Sequence, residues 1–386
     1  MRRIYLDHAA TTPLDPAVFE AMLPYLREHF GNASSVHALG RKARFAVEES
    51  RERVAACLEA EPAEILFTSG GTESDNAALA GLLGGERTGL ITSAAEHEAV
   101  LQPAERRARE GYPVTLLRPQ ASGAVAPEQV AAALTPETGL VSLMHANNEV
   151  GTLTDVRAVA ALCRRHGVLF HTDAVQTAGL YALSVKDLGV DALSLSAHKF
   201  YGPKGVGVLY LRGGADFRPF LEGGAQERRR RAGTENVAAI VGLAAALERA
   251  VAAAPERLAR LARLRRRLYR GLREALGDLF VCNTPMDEGA AAPHLLNIAF
   301  PPHDGRPFDG EMLILNLDME GIAVSSGSAC TSGALTPSHV LQALGHDAAT
   351  AAAAIRFSLG KDTTEEEIDR TVDAVARVVR RMLAVM

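Results

Sequence analysis

Long apolar runs are missing from this chain. No segment approaches the ~18 consecutive apolar residues that a bilayer-spanning helix needs, and the opening MRRIYLDHAA is too polar for a secretory leader. The expected compartment is the cytoplasm, with no membrane partner. Cysteine is scarce: its four copies, Cys57, Cys163, Cys282 and Cys330, show no CxxC spacing, and a reducing compartment would leave them as free thiols. The twelve histidines form no HExxH pair, so no metal centre is expected. A P-loop of the form GxxxxGK(S/T) is absent, which sets aside that class of nucleotide enzyme. Excess positive charge is lacking too, and a net charge of −5 gives no electrostatic footing for nucleic acid. No internal repeat organises the chain.

What is present suits a large α/β protein. A chain of 386 residues with 47% hydrophobic content can fill two substantial cores. Asp15 and Pro16 are the N-cap and first position of an amphipathic helix over residues 16–30, and the polar loop GNASSVHALGRKAR enters a second helix reaching about Leu58. From residue 64, short apolar strands alternate with helical stretches: ILFT, GLITS, VTLLR, LVSLMHA, VLFHTDA, ALSLSA and VGVLYLR. That alternation predicts crossover connections and a mainly parallel sheet sandwiched by helices, with ligands at the strands' carboxyl ends. VGVLYLR follows a tight turn and is expected to run antiparallel. Residues 255–276 carry a leucine stripe (Leu258, Leu261, Leu264, Leu268, Leu272) among arginines, which read chiefly as a solvated face. Beyond Leu295 come LLNIAFP, a helix at 308–320, IAVSSGSAC, a helix at 337–344, AIRFSL and a closing helix at 364–385. The expected division is a large domain over 15–254 and a smaller α+β domain built from 1–14 and 255–386.

The chemistry concentrates just after the strands. In DALSLSAHKFYGPKGVG, Lys199 follows a buried strand at a Gly/Pro-rich turn. A lysine there must be exposed, paired or chemically used, and desolvation would lower its pKa and make it a nucleophile able to form a Schiff base with pyridoxal phosphate (PLP). In LFHTDAVQ, Asp173 is placed to hold a proton on the cofactor's pyridine nitrogen, and Gln176 to reach its phenolic oxygen. EILFTSGGTESDN breaks from strand to helix through glycines, a turn whose free N–H groups suit a phosphate, with Gly71 and Thr72 at the helix start. SSGSACTSG sets Cys330 in a Gly/Ser-rich loop, whereas Cys57 and Cys163 fall in apolar helical settings. Taken singly, Lys199 reads as a surface lysine, Asp173 as a helix cap, His97 as a helix-start histidine, Arg356 as an edge-strand arginine and Cys330 as an inert small hydrophobe.

Together the motifs read differently. TSGGTES, HEAV, HANNEVG, HTDAVQ, SAHKFYGPKG, RAGTEN, SSGSACTSG and IRFSLG, in that order, resemble the cysteine desulfurases, PLP-dependent enzymes of fold type I, in the subgroup with the longer cysteine loop. The resemblance runs from YLDHAATTP to IRFSLG and so covers nearly the whole chain. It implies conversion of L-cysteine to L-alanine, with sulfane sulfur loaded onto Cys330 and passed to an acceptor such as an iron–sulfur scaffold protein or a tRNA-thiolation pathway. It implies His97 over the cofactor ring as proton carrier, and Asn148 near the phenolic oxygen and the substrate carboxylate, which Arg356 also holds. Ser196, His198, Gly71 and Thr72 are implied at the phosphate, joined by Thr234 from the second subunit of a homodimer. Ala33 stands where the family often has proline, which weakens Asn32 as a site residue. Some relatives continue into a C-terminal tail that docks the scaffold protein; the sequence given stops at Met386, so docking by such a tail is not expected. The alternatives are a selenocysteine lyase or other class-V aminotransferase, and a non-catalytic PLP-binding sulfur-transfer scaffold.

Overall fold

The computed structural model describes residues 3–327 and 336–385. Its strands are β1 (Ile4–Tyr5), β2 (Ile65–Thr68), β3 (Gly89–Ser93), β4 (Val114–Leu117), β5 (Thr138–Ser142), β6 (Leu169–Asp173), β7 (Ala192–Ser196), β8 (Gly207–Leu211), β9 (Val281–Cys282), β10 (Leu295–Ala299), β11 (Ile322–Ala323) and β12 (Ala354–Ser358). A seven-stranded sheet takes the order β2-β8-β7-β6-β5-β3-β4. Its members are parallel except β8, which runs antiparallel to both β7 and β2, as the turn before VGVLYLR predicts. Every residue of β7 and β8 is buried, the pattern of strands covered by helices on both faces. Each fully buried leucine or valine there contributes about 1.5–3 kcal/mol relative to exposure.

Local chemistry sets the helix ends. The Asp15 carboxylate accepts the Ala17 N–H at 2.9 Å, with Pro16 inside the first turn of helix Pro16–Arg27. That helix stops short of the expected residue 30. The chain has to turn to bring Gly31 against the Leu39 carbonyl, where a Cβ would lie 2.4 Å away. The helix Ala38–Leu58 then runs as expected and packs, through Val47, Val54 and Leu58, in the core that also takes Ile240, Leu243 and Leu247 of helix Val237–Ala252.

The chain bends by 69° after Val237–Ala252 and enters helix Ala254–Leu276. There Leu261, Leu264, Leu268, Leu272 and Leu276 join a second core with Ile368, Val375, Val378 and Val379 of helix Glu365–Leu383, over the three-stranded antiparallel sheet β12-β10-β9. Thr364 and Glu367 cap that last helix reciprocally. Arg265 departs from the solvated-face reading: it is buried in the leucine stripe and donates to the Ala292 carbonyl at 3.1 Å. Short β1 lies parallel to β11, so the first residues of the chain belong to the C-terminal layer. The basic run 228–231 is tied down more than a solvated run would be. Arg231 pairs with Glu73 at 2.8 Å, Arg228 with Glu48 at 3.3 Å, and Arg230 donates to the Ala63 carbonyl at 3.0 Å.

No single helix among the described residues is long and apolar enough to cross a membrane.

Candidate active site

A cavity of about 750 Å³ opens at the carboxyl ends of β2, β3, β5, β6 and β7 and is closed on one side by β12. Its wall includes Gly71, Thr72, His97, Asn148, Asp173, Gln176, Ser196, His198, Lys199 and Arg356. These sequence candidates therefore converge from separate loops, the placement expected at the ends of parallel strands. Thr234 is exposed and stands apart from this wall. Cys330 lies outside the described residues; Gly327 and Thr336, on either side of that stretch, both line the cavity.

Lys199 ends the single turn Ala197–Lys199 that follows β7. Its Nζ donates to the carbonyls of Ala9 and Ala10 at 2.5 and 2.9 Å, and these neutral acceptors leave its charge unbalanced at close range. Burial, followed by the nearby Arg356 charge, pushes its pKa down to about 8, against the opposing pull of Asp173 and Asp7. A lysine poised there becomes a neutral amine within the physiological range, as carbonyl chemistry requires.

Asp173 closes β6 and is buried, with Oδ1 accepting the Val175 N–H at 2.8 Å. Burial raises its pKa, while that N–H, His97 and Lys199 pull it the other way. Behind it lies a buried polar group that the sequence reading missed. His171 bonds Ser142 Oγ at 2.8 Å through Nδ1 and Ser194 Oγ at 2.9 Å through Nε2, with Asp75 Oδ1 3.6 Å from Nε2. Burial pushes His171 down to about 3, so its ring is neutral near pH 7, and burial, with the nearby Asp173 charge, raises Asp75 well above the usual carboxylate range. Glu96 is likewise buried and raised, one oxygen accepting the Met144 N–H at 2.9 Å.

His97 is the N-cap of helix Glu98–Arg109, its Nδ1 accepting the Ala99 N–H at 3.1 Å. His97 therefore caps a helix and also lines the cavity. With Nδ1 an acceptor, the neutral ring carries its proton on Nε2. Burial lowers its pKa, Asp173 opposing.

At the opposite wall Arg356 is buried at 4% exposure. It donates to the Asn148 carbonyl and to Asp7 Oδ1, each at 2.9 Å, and among the described residues its Nε has no partner. Asn148 Oδ1 is also buried and has no partner among the described residues. Two orphaned polar atoms from facing residues in one cavity mark a place for a polar ligand, since leaving them unsatisfied costs about 1–3 kcal/mol each. Asp7 and the Ala9–Ala10 carbonyls also went unread in the sequence, although YLDHAATTP contains them; nothing in its spacing says that this strand returns to the lysine.

The residues fit PLP on three structural counts. Gly71 opens helix Gly71–Leu82, whose first amides have no partner among the described residues, and a Cβ there would meet Val175 Cγ2 at 2.8 Å, so glycine keeps this turn open beside Val175 for an anion. Asp173 supplies a buried carboxylate for a ring nitrogen, and Lys199 an amine of lowered pKa. Gln176, whose Nε2 reaches the Ala9 carbonyl at 3.1 Å, leans toward the same lysine turn.

A mainly parallel sheet with a lysine, an aspartate and a glycine turn at its carboxyl edge defines a PLP-dependent enzyme of fold type I. The chain belongs to the aminotransferase class-V family, whose model matches residues 4–371. It is 44% identical over 384 residues to a cysteine desulfurase IscS from Dictyoglomus turgidum, covering 99% of this chain and 95% of that one. Among solved structures it is similar to a NifS-like protein, with a TM-score of 0.90 at 38% identity over 98% of this chain and 100% of the other. It is also similar to SspA in complex with cysteine, with a TM-score of 0.79 at 35% identity over 92% and 98% of the two chains.

Proposed function

We propose that this protein is a cysteine desulfurase that converts L-cysteine to L-alanine and places the sulfur on Cys330. The observation that carries the reading is the convergence of Lys199, Asp173, His97 and Arg356 on one cavity in a chain 44% identical to a cysteine desulfurase. Bound PLP supplies the carbonyl that captures the substrate amine and the ring that accepts electron density from Cα.

The chain's own groups do the rest. With PLP bound, Gly71, Thr72, Ser196 and His198 would hold its phosphate, Asp173 would keep the ring nitrogen protonated and Gln176 would serve the phenolic oxygen. Arg356 holds the substrate carboxylate by donating from its Nε–H, and Asn148 contributes its side-chain amide N–H beside it. Lys199 Nζ takes the Cα proton, which its lowered pKa allows near neutrality. His97 carries protons at Nε2. The Cys330 thiolate attacks the substrate sulfur, an S–S bond forms and the C–S bond breaks, and the electron pair of the broken bond stays with the carbon fragment. That fragment is protonated and leaves as alanine, so no outside oxidant is needed.

Thr234 reaching the phosphate of a partner's cofactor makes the working unit a homodimer. Support comes from the exposed apolar side chains Leu26, Phe30, Val36 and Phe45 on the first two helices and their connection, which a second copy would cover. Two large apolar cores and the 69° bend support a division into 15–254 and 1–14 with 255–386. A cytoplasmic setting suits a thiol that must stay reduced, and an iron–sulfur scaffold protein suits the product as acceptor.

The deciding experiment is single-turnover with L-cysteine on wild type and Cys330→Ala. Wild type should gain one sulfur atom in intact mass and release alanine; the variant should bind PLP normally and gain no sulfur. Alanine and sulfide release at the parental rate from Cys330→Ala would refute the reading.

A further inference from the structure

Away from the catalytic cavity, a second concavity of about 260 Å³ opens between Asp15, the Phe200–Tyr201 turn, the junction of helices Val237–Ala252 and Ala254–Leu276, and Lys361. Arg249, Arg257, Arg260 and Lys361 face it, against the carboxylates of Asp15 and Glu256. Asp15 is shared: Lys361 Nζ donates to Oδ2, and Arg249 Nε lies 3.6 Å from Oδ1. Arg257 and Arg260 have no acidic partner among the described residues. Arg257 donates to the carbonyls of Gly179 and Ala250, and its Nε is buried without a partner. Arg260 donates to the carbonyls of Thr363, Gly360 and Lys361.

Carbonyl contacts orient a guanidinium but leave its charge uncompensated, and two half-buried guanidiniums close together favour a counter-anion. Burial lowers the pKa of Arg257 and the adjacent Arg260 charge adds to the effect, the signature of a cation short of an anion. Val18, Phe200, Ala246 and Ala250 give the same concavity an apolar wall. Charge on one side and hydrocarbon on the other select a ligand with both characters.

We propose that this concavity binds a small organic phosphate, its phosphate against Arg249, Arg257 and Arg260 and its carbon part against the apolar wall. Through Phe200 and Tyr201 the site adjoins the lysine turn. Tyr201, two positions after Lys199, is held in a left-handed conformation (φ 68°) by Thr12 Oγ1 on its N–H at 2.8 Å and by the Asp15 N–H on its carbonyl at 3.0 Å. Its hydroxyl accepts the Lys361 N–H at 2.6 Å. The two cavities share no lining residue, so binding here stands whatever reaction the first performs.

Calorimetric titration of the PLP-loaded enzyme in chloride buffer tests this, with phenyl phosphate, inorganic phosphate and phenol as probes. Phenyl phosphate should bind saturably, inorganic phosphate more weakly, and phenol not at all. Arg249→Glu, at an exposed side chain whose only ion pair among the described residues is to Asp15, should weaken phenyl phosphate about tenfold or more, a loss of ~1.4 kcal/mol. Arg260→Gln should weaken it too, while Arg270→Glu, exposed and outside the concavity, should leave it unchanged. Absence of saturable binding would overturn the assignment, as would equal affinity of inorganic and phenyl phosphate, or an effect of Arg270→Glu as large as that of Arg249→Glu.

Discussion

Asp7 and Arg356 form an ion pair of 2.9 Å across the seam where β1 meets the cavity, and Ser325 Oγ donates to the same Asp7 oxygen at 3.1 Å. Asp7 thus holds the guanidinium that we assign to the substrate carboxylate, and its charge also raises the Lys199 pKa. Asp7→Asn should remove that raising influence and move Lys199 below its value of about 8. PLP uptake by the apoprotein, followed by visible absorbance, should rise with pH as Lys199 loses its proton. The midpoint in the variant should lie at lower pH than in wild type; a midpoint at higher pH would contradict the arrangement.

Lys199→Ala should lose turnover by on the order of 10²–10⁴ from the missing proton transfer alone. Borohydride reduction followed by peptide mass analysis should place a pyridoxyl adduct on the Lys199 peptide of wild type and on no peptide of the variant.

Much of this site was legible because it sits where apolar strands stop. Lys199, Asp173 and Gly71 each follow a short buried run, and alternation with helices was enough to predict a common edge. Asp75, Glu96 and His171 were not legible, because their burial comes from helix Gly71–Leu82 and the neighbouring strands packing over them, and a polar residue in TESDN or AEHE carries no local mark of that. Arg265 was misread for the same reason: only the Ala292 carbonyl, supplied from a distant loop, makes a buried arginine tolerable. Strands β9 and β11 are two residues long, too short for any period.

Removing one side of the Arg51–Glu227 pair should be costly. Both side chains are 3% exposed, Arg51 bonds Glu227 at 2.7 and 2.9 Å, and Glu227 also accepts the Phe67 N–H of β2, just ahead of the glycine turn. Arg51→Met should destabilise the fold by about 3–5 kcal/mol by leaving a buried carboxylate unpaired. Denaturant melts should show Arg51→Met with Glu227→Gln less destabilised than Arg51→Met alone.

Stability should fall on acidification. His171 and His294 are buried and His145 is half-buried; all three are neutral, with pKa values pushed by desolvation to about 3, 3 and 4 from an ordinary 6.5. A depressed folded-state pKa means that the unfolded chain takes up protons first. Their contribution is complete above about pH 6.5 and shrinks as pH drops toward 4 and then 3. Urea midpoints measured from pH 7 to 4 should decline, and His145→Gln should flatten the slope.

The reverse-running strand β8 has a consequence for biosynthesis. Its first residue, Gly207, is wedged where a Cβ would come within 2.6–2.7 Å of Leu195 and Gly70, between the glycine turn and the strand that ends before Lys199. The cofactor cradle is therefore incomplete until that strand has slotted between two neighbours already in place. Lys199 further rests on Ala9 and Ala10, and its pocket takes Arg356 from near the other terminus. A ribosome translating this message must release almost the entire polypeptide before a vitamin can be captured, which makes coenzyme loading one of the last events of maturation.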